Sequence, residues 1–401
     1  MSGRGELVTF ESPLGALGSA LDGDYTVLST DDGIVVRDEL EKLVCRITIS
    51  TAPGGSSWLT VDPLKGYGRD AERIRRRLLA AGFLSEAGWK NAQVPMVADE
   101  RAAVAVARVL LRLLQIMDAN LPAVLADADV EFLHDYRVAI RRTRSVLREM
   151  HAVFDAEDLK RMRAEFKWLQ DQTSATRDLD VYLHEFDELR SLAPASARAD
   201  LEPLEPLLRQ RHRLARMAME AALTSTRTQG LRAEWWEILQ ALALADPGGR
   251  PDGTRTIGKL AAKRIRKVHR KMVRMGSAIT ADSQPDQYHE LRKKGKELRY
   301  LLELFGALLF DPEVVRPLIK TLKGLQDVLG LHQDREVQIE MLRELGHDLV
   351  SRSGGPRALM AIGTLIDRLE HDAAQARGRF AVSFEEFASE AQCKLVAKAF
   401  G

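Results

Sequence analysis

Cysteine is scarce in this chain of 401 residues, which contains only Cys45 and Cys393, far apart in the sequence. Proteins that depend on a disulfide framework use more cysteines at closer spacing, and they fold in oxidising compartments. We therefore expect no disulfide framework, and a reducing cytoplasm is the compartment that this cysteine usage favours.

Long apolar runs are missing as well. No stretch approaches the roughly 18 uninterrupted apolar residues of a membrane-spanning helix. The N-terminal sequence also lacks the basic region and apolar core of a signal peptide. The apolar content is nevertheless 45 %, which is typical of a globular chain. The sequence predicts no membrane association, and a length sufficient for two or three domains with sizeable cores.

Net charge is almost absent, since 59 Lys and Arg residues offset 58 Asp and Glu residues to leave +1. This average neither favours nor excludes an anionic partner, so the distribution of charge has to decide. That distribution is uneven, because the segment from Lys259 to Arg274 has eight basic residues and no acidic one.

Recognisable catalytic motifs are a further absence. The chain has no glycine-rich phosphate loop and no nucleophile beside an obvious base. Asp178 with Asp180, or His332 with Asp334 and Glu336, could be read as metal ligands. At a helix start, however, such residues more often cap backbone N–H groups. The sequence therefore favours a protein without catalytic residues, metal or cofactor.

Positive charge is arranged instead in a helical row that occurs twice. The offsets within each row are the same, and they place its four side chains within about 80° of one helix face. The first row is His134, Arg137, Arg141 and Arg144, and the second row is His289, Arg292, Lys296 and Arg299. Like charges on one face repel each other unless an anion neutralises them. The two rows together predict one polyanion site built by duplication.

The repeat extends beyond the two rows. Leu169-Gln170-Asp171 recurs as Leu325-Gln326-Asp327, and Asp178 recurs at the same spacing as Asp334. On the preceding helix of each half, Arg108 and Arg112 occupy the places of Lys263 and Lys267. The helical part of the chain is therefore predicted to consist of two similar bundles.

The predicted secondary structure changes along the chain. Short β-branched segments separated by turn residues predict a small sheet, followed by a helix from Asp70 to Ala81. The predicted strands are Tyr25–Ser29, Gly33–Arg37, Leu43–Ser50 and Trp58–Val61. From about Asp99 the pattern is helical almost throughout, with breaks at Asp246–Gly253 and Ser353–Pro356. The predicted helices are 103–119, 130–152, 157–173, 178–190, 201–225, 231–244, 257–279, 285–309, 312–329, 334–352, 356–377 and 383–399.

These patterns predict a mainly α fold. A small strand-rich α+β segment is expected at residues 1–92, a first helical bundle at 93–245 and a second at 257–400. Helical-wheel positions place Arg142, Arg264, Lys271 and Lys294 off the two rows, so we expect these four to be surface residues.

Phosphate without bases is the ligand that the residue types favour. Arginine offers a planar fork that matches phosphate oxygens, and lysine a compact charge. Proteins that read nucleic acids usually add aromatic platforms. Aromatic residues make up only 6 % of this chain, and none shares the helix face of the first row. A nucleic-acid-binding module remains an alternative.

The segments His134–Arg144 and His289–Tyr300 resemble the two signatures of the CHAD family of α-helical domains. Leu322–Gly330, with His332 and Asp334, resembles the segment that follows in the family, and the likeness covers about residues 95–400. It implies two four-helix bundles related by a pseudo-twofold axis, with a basic cleft between them. It also implies non-catalytic binding of inorganic polyphosphate, at polyphosphate granules in the cytoplasm and beside granule-associated proteins. A metal-dependent phosphohydrolase acting on polyphosphate or triphosphate is the enzymatic alternative.

The resemblance also implies a set of ligand contacts, position by position. These are Arg108, Arg112, His134, Arg137, Arg141, Arg144, Lys263, Lys267, Arg270, His289, Arg292, Lys293, Lys296 and Arg299.

The strand-rich start resembles a fragment of a CYTH (triphosphate tunnel) domain, which often precedes CHAD domains. It has only Glu6 and Glu11 where a CYTH domain has a run of alternating glutamates. It is also too short for a full eight-stranded tunnel. We expect a degenerate or unrelated segment without catalytic activity.

Overall fold

The structure is a computed structural model of the chain. It describes residues 3–7, 17–19, 21, 23, 25–30, 33–51, 57–64, 67, 70, 73–74, 76–78, 84–85, 92–244, 250, 252, 254–280, 283–350 and 354–401. The chain forms two compact units. The first consists of Met1–Asn91 with Gln115–Tyr136, and the second of Ala92–Leu114 with Arg137–Gly401.

The first unit contains a six-stranded antiparallel sheet in the order β2-β3-β4-β5-β1-β6. Its strands are β1 (Gly3–Leu7), β2 (Tyr25–Thr30), β3 (Gly33–Asp38), β4 (Leu43–Thr51), β5 (Ser57–Pro63) and β6 (Leu84–Ser85). The four predicted strands are confirmed as β2 to β5. The sequence did not predict β1, whose two glycines disfavour a strand and which is held by its pairing with β5.

One side of this sheet carries an apolar core. Val36, Ile47 and Val61 cluster there with Ile74 and Leu78. Ile74 and Leu78 belong to the predicted Asp70–Ala81 helix, in which residues 70, 73–74 and 76–78 are helical and the others lie outside the described residues. Glu11 and the side chain of Glu6 also lie outside them, and the likeness to a CYTH domain stays a prediction.

Helices make up almost all of the rest, and the mainly α fold is confirmed. They are α1 (Ala102–Leu125), α2 (Val130–Glu149), α3 (Ala156–Gln172), α4 (Ser174–Ser191), α5 (Leu204–Thr224), α6 (Thr226–Leu244), α7 (Ile257–Ser277), α8 (Pro285–Leu301), α9 (Pro312–Leu349), α10 (Gly355–Ala388) and α11 (Glu390–Ala399). A π-helical turn, Leu302–Gly306, continues α8 to Ala307–Leu309. Among the described residues, no helix is long and apolar enough to cross a membrane.

Two predicted helix breaks are wrong. The predicted helices 312–329 and 334–352 are the single helix α9, and 356–377 extends to Ala388 as α10. A glycine inside a helix costs only about 1 kcal/mol, and buried residues on both sides of Gly330 and Gly378 hold the helix through them.

The break at Ser353–Pro356 is confirmed at Gly354, which has a positive φ of 76° and is the N-cap of α10, whereas Gly355 and Pro356 already belong to the helix. Ser353 lies outside the described residues. So does most of the predicted linker Asp246–Gly253, of which only Arg250 and Asp252 are described. Asp252 is buried, with 3 % exposure.

The starts of α1 and α7 are joined by hydrogen bonds that a twofold axis would interchange. Ala102 N–H donates to the Arg255 carbonyl, and Ile257 N–H donates to the Glu100 carbonyl, both at 2.9 Å. Ala102 and Ile257 are 155 positions apart, as are Glu100 and Arg255. The sequence repeat therefore has a local pseudo-twofold counterpart in the structure.

The helices that carry the two rows are joined in the same way. Arg142 of α2 forms an ion pair with Glu303 just after α8 at 2.9 Å, and Arg148 of α2 forms one with Glu297 of α8. The 155-residue offset relates Arg142 to Glu297 and Arg148 to Glu303. The second pair is thus the first with its charges exchanged, and the two pairs fix α2 and α8 in an antiparallel crossing.

An apolar core inside the second unit contains residues from both sides of the predicted linker. Phe186 of α4 and Leu207 of α5 cluster there with Leu345 of α9 and Leu365 of α10. Tyr182 strengthens this contact by donating a hydrogen bond to the Val337 carbonyl at 2.7 Å. The division into bundles 93–245 and 257–400 stays a prediction.

Replacing the carboxylate at the helix crossing should weaken the fold. Glu297 is 5 % exposed and faces Arg148 and Lys294. The Glu297→Gln variant leaves two cations without their partner, and we expect a loss of about 2–4 kcal/mol in the free energy of unfolding.

Chemical denaturation followed by circular dichroism measures this loss. Glu290→Gln is the matched control, because Glu290 pairs with Lys293 where both side chains are more than half exposed. The control should lose less than about 1 kcal/mol. Equal losses in the two variants would show that the crossing is not held by these charges.

Candidate functional site

The two rows meet within the second unit. Lys296 of the second row lies in the field of Arg292 on its own helix, and of Arg141 and Arg137 on α2. The pKa of Lys296 falls to about 8, because burial disfavours its charged form and these three cations disfavour it further, while Asp334 opposes the fall. The prediction that the rows face one another is thereby supported by their electrostatic interaction.

Two cations at this meeting point form no ion pair among the described residues. Lys296 is half-buried and forms neither a hydrogen bond nor an ion pair there. Arg141 has no carboxylate at ion-pair distance, and its buried Nε atom has no hydrogen-bond partner. An unpaired charge that is partly removed from water is costly, so both are suited to binding an external anion.

Arg137 is held by neutral groups. It is 7 % exposed and donates to the Gln170 carbonyl at 3.1 Å, to Thr173 Oγ1 at 2.7 Å and to Ser174 Oγ at 3.2 Å. Burial, and then the charge of Arg141, lowers the pKa of Arg137 to about 10. This arginine orders the corner between α3 and α4 and keeps its positive charge beside the site.

Arg144 also has a neutral partner. Its guanidinium donates to Gln170 Oε1 at 2.6 Å. Burial first, and the positive charge of Arg148 second, lowers the pKa of Arg144. The first row thus has three arginines after Tyr136. None of them forms a hydrogen bond with a carboxylate of the described residues.

The second row is more nearly neutralised. Arg292 faces Asp334 at 3.6 Å. Arg299 binds Glu303 at 2.6 Å, and His289 Nδ1 is hydrogen-bonded to Gln333 Oε1. Within this row, Lys296 is the residue whose charge is least balanced.

Two aspartates lie beside the arginines, one in each half of the repeat. Asp178 lies in the field of Arg137, and Asp334 in the fields of Arg292 and Lys296. The surrounding protein atoms desolvate both carboxyl groups, which raises their pKa more than these cations lower it. Desolvation is incomplete, because part of each side chain still contacts solvent. The prediction that they cap helices is wrong, because both lie inside helices; the repeated spacing was the signal for their shared role beside a row.

The remaining predicted contacts are dispersed. Arg108 binds Glu100 at 3.1 Å and the Pro95 carbonyl at 2.5 Å, and Lys293 binds Glu290 at 2.6 Å. Arg112 and His134 each have an interaction partner, and His134 belongs to the first compact unit.

Three predicted contacts, Lys263, Lys267 and Arg270, are exposed on α7. No interaction among the described residues connects them to Arg141 or Lys296.

Of the four cations predicted to be surface residues, one is buried, two are half-buried and one is exposed. Arg264 is 5 % exposed and donates to Asp252 at 3.1 Å, a partner that the sequence could not indicate because it precedes the helix. Arg142 and Lys294 are half-buried in ion pairs with Glu303 and Glu297. Lys271 is exposed as predicted.

Two of the residues considered as metal ligands have protein partners. Asp180 pairs with His212 at 2.7 Å. His332 is 3 % exposed, with Glu336 3.7 Å from its Nδ1 atom. Within the described ranges, no three His, Cys, Asp or Glu residues are arranged to hold a metal ion.

Removing the charge of Lys296 should stabilise the ligand-free protein. At pH 7 the ammonium group is charged in the folded and unfolded chains, but only the folded state penalises it. Lys296→Met should therefore raise the free energy of unfolding by about 1–2 kcal/mol. The gain should shrink as the pH rises from about 8 toward 10.5, because the folded protein then loses this proton first.

Thermal unfolding at a series of pH values measures the difference between variant and parent. Lys293→Met removes an exposed lysine one turn away and should change stability by less than about 0.5 kcal/mol. A gain at Lys296 that is absent at pH 7, or that persists unchanged at pH 10.5, would contradict the assigned cause.

Several known proteins are similar to this chain. The family model of the CHAD domain matches residues 108–343, more than half of the chain. Uncharacterized proteins from two strains of Mycobacterium tuberculosis are each 28 % identical over 227 residues. These matches cover 55 % of this chain and only 41 % of each relative's length.

Two solved structures share the fold. The crystal structure of the CHAD domain from the plant Ricinus communis has a TM-score of 0.60 and 24 % identity, and the match covers 74 % of this chain and 95 % of that one. PptA from Streptomyces chartreusis has a TM-score of 0.53 and 17 % identity, with 71 % and 100 % covered. These likenesses show the fold, and the family model, which matches more than half of the chain, shows that the chain belongs to the CHAD domain family.

Proposed function

We propose that the second unit binds inorganic polyphosphate between α2 and α8 without cleaving it. The family to which the chain belongs is associated with polyphosphate binding. The observation that carries the proposal is the position of Lys296, which forms no ion pair among the described residues and lies in the field of Arg141 and Arg137 of the other row.

The electrostatics of the site favour an anion with several charges. Each cation added to the cluster raises the free energy of the ligand-free protein, and a bound phosphate relieves that repulsion. A charge-assisted hydrogen bond to a phosphate oxygen contributes about 1.5–3 kcal/mol. A chain of phosphates can satisfy both rows at once.

The local symmetry of the site also favours polyphosphate over nucleic acid. The pseudo-twofold relation presents counterpart side chains on helices that run in opposite directions. A polyphosphate chain offers the same groups when read from either end, whereas a nucleic-acid strand has a direction. Either orientation of polyphosphate would therefore make equivalent contacts.

Tyr300, which directly follows Arg299 of the second row, does not form a free platform. The Arg142 guanidinium lies over its ring, 5.8 Å from the ring centroid. Single-stranded nucleic-acid sites use open rings on which bases stack. A competition experiment at matched salt should therefore show preference for polyphosphate over single-stranded RNA.

Removing the two unpaired charges should nearly abolish binding. The Arg141→Gln/Lys296→Gln variant is expected to bind polyphosphate about 100-fold more weakly or worse, because two charge-assisted contacts are lost. Its slope of log affinity against log salt should be shallower by about 1.4, since about 0.7 is lost per phosphate contact. Isothermal titration at several salt concentrations measures both quantities.

A matched control has the same change in net charge away from the site. Arg209→Gln/Arg343→Gln removes two exposed arginines, each of which pairs with a nearby carboxylate. The control should bind as the parent does. If the Arg141/Lys296 variant also stays within about twofold of the parent, the meeting point of the rows is not the site.

The enzymatic alternative rests on Asp178 and Asp334, which lie beside the arginines. Incubation with polyphosphate and Mg²⁺ or Mn²⁺ should leave the chain length unchanged and release no orthophosphate. Release that is lost in the Asp178→Asn/Asp334→Asn variant would instead make the protein a metal-dependent phosphohydrolase.

Binding of this kind would bring the protein to polyphosphate granules in the cytoplasm, beside other granule-associated proteins. A fluorescent fusion should co-localise with granules, and the Arg141→Gln/Lys296→Gln fusion should be diffuse. Granule localisation of both fusions would mean that another contact recruits the protein.

A further inference from the structure

A third row of cations follows the exposed side of α7. Its members are Lys259, Lys263, Arg266, Lys267, Arg270 and Arg274. Five are exposed and Arg266 is half-buried. None of the six has an ion pair or a hydrogen bond with any described part of the chain. At about 1.5 Å per residue the row is roughly 22 Å long.

This α7 row points away from the meeting point of the other two. Met272 lies on the side of α7 that faces α8, because a Cβ atom added at Gly295 of α8 would lie 3.2 Å from Met272 Cε. At about 100° per residue, Lys263 is on the opposite side of the helix from Met272, and all six cations are at least about 120° from it. The body of α7, about 10 Å across, therefore separates the α7 row from α8.

The fold does not require these charges. Their counterparts in the first half, 155 positions earlier, are Val104, Arg108, Leu111, Arg112, Gln115 and Ala119. Four of the six are uncharged, so the same position in the repeat is filled without a cationic row. The second half carries a row whose charges repel one another along the helix, and the first half does not.

We propose that the α7 row is a second contact surface for the same ligand, over which the part of a long polyphosphate chain that extends beyond the α2–α8 site is bound. This inference rests on the proposed function. The exposed side of α7 has no aromatic side chain for stacking bases and no apolar side chain for entering a membrane, which favours a bare phosphate chain. Joining two surfaces through one flexible ligand raises affinity without any new contact at the first.

The proposal predicts that the contribution of the α7 row depends on chain length. The test variant is Lys259→Gln/Arg266→Gln/Arg274→Gln, whose three positions are outside the set implied by family resemblance. Its affinity for long-chain polyphosphate should fall about tenfold or more, and its salt slope should become shallower by about 2. Its affinity for tripolyphosphate, which is too short to reach both surfaces, should stay within about twofold of the parent.

The control is Lys160→Gln/Arg357→Gln/Arg379→Gln, which removes three exposed cations of α3 and α10. It should bind both ligands like the parent, apart from a small effect of net charge. The parent and both variants are compared as the full chain. Fluorescence anisotropy with labelled polyphosphate measures the affinities.

If the α7 variant and the control bind long-chain polyphosphate equally well, or if the α7 variant loses tripolyphosphate to the same extent, the row is not a second surface. If the parent prefers RNA or anionic lipid vesicles and the α7 variant loses that binding, the row serves a different partner. Failure of the parent to bind either phosphate ligand would overturn the proposed function itself.

Discussion

The repulsion among cations held together on α2 and α8 is the constraint on which this structure depends. Lys296, Arg141 and Arg137 lie in one another's fields, and an isolated chain would relieve that cost by moving them apart. The fold prevents this, because Arg142 pairs with Glu303 and Arg148 pairs with Glu297 across the helix crossing. The ligand-free protein thus stores electrostatic energy that a polyanion can release.

The same two ion pairs explain how a duplicated sequence forms one site. Counterpart positions carry opposite charges at the crossing, so each helix binds the other through its copy of the same surface. At the neighbouring positions the counterparts carry the same charge, and these are the positions of the rows. Counterpart positions with opposite charges therefore hold the two halves together. Counterpart positions with the same charge attract the ligand.

The sequence predicted the helices and the rows because each has a local pattern. Helical periodicity was sufficient for α2 and α8, and the repeated spacing singled out both aspartates, although it did not place them inside helices. The state of each charge was not predictable, since it depends on contacts distant in sequence. Arg264 is neutralised by Asp252, which precedes its helix, and Arg137 is held by the corner between α3 and α4. The continuity of α9 through Gly330 was missed because packing, rather than residue preference, decides it.

A crystal structure of the protein with tripolyphosphate would test the central claim most directly. The account predicts phosphate oxygens within hydrogen-bond distance of Arg141 and Lys296 in the same molecule, with the ligand between α2 and α8. Phosphates bound to each row separately, or ordered elsewhere while Arg141 and Lys296 contact only water, would contradict it.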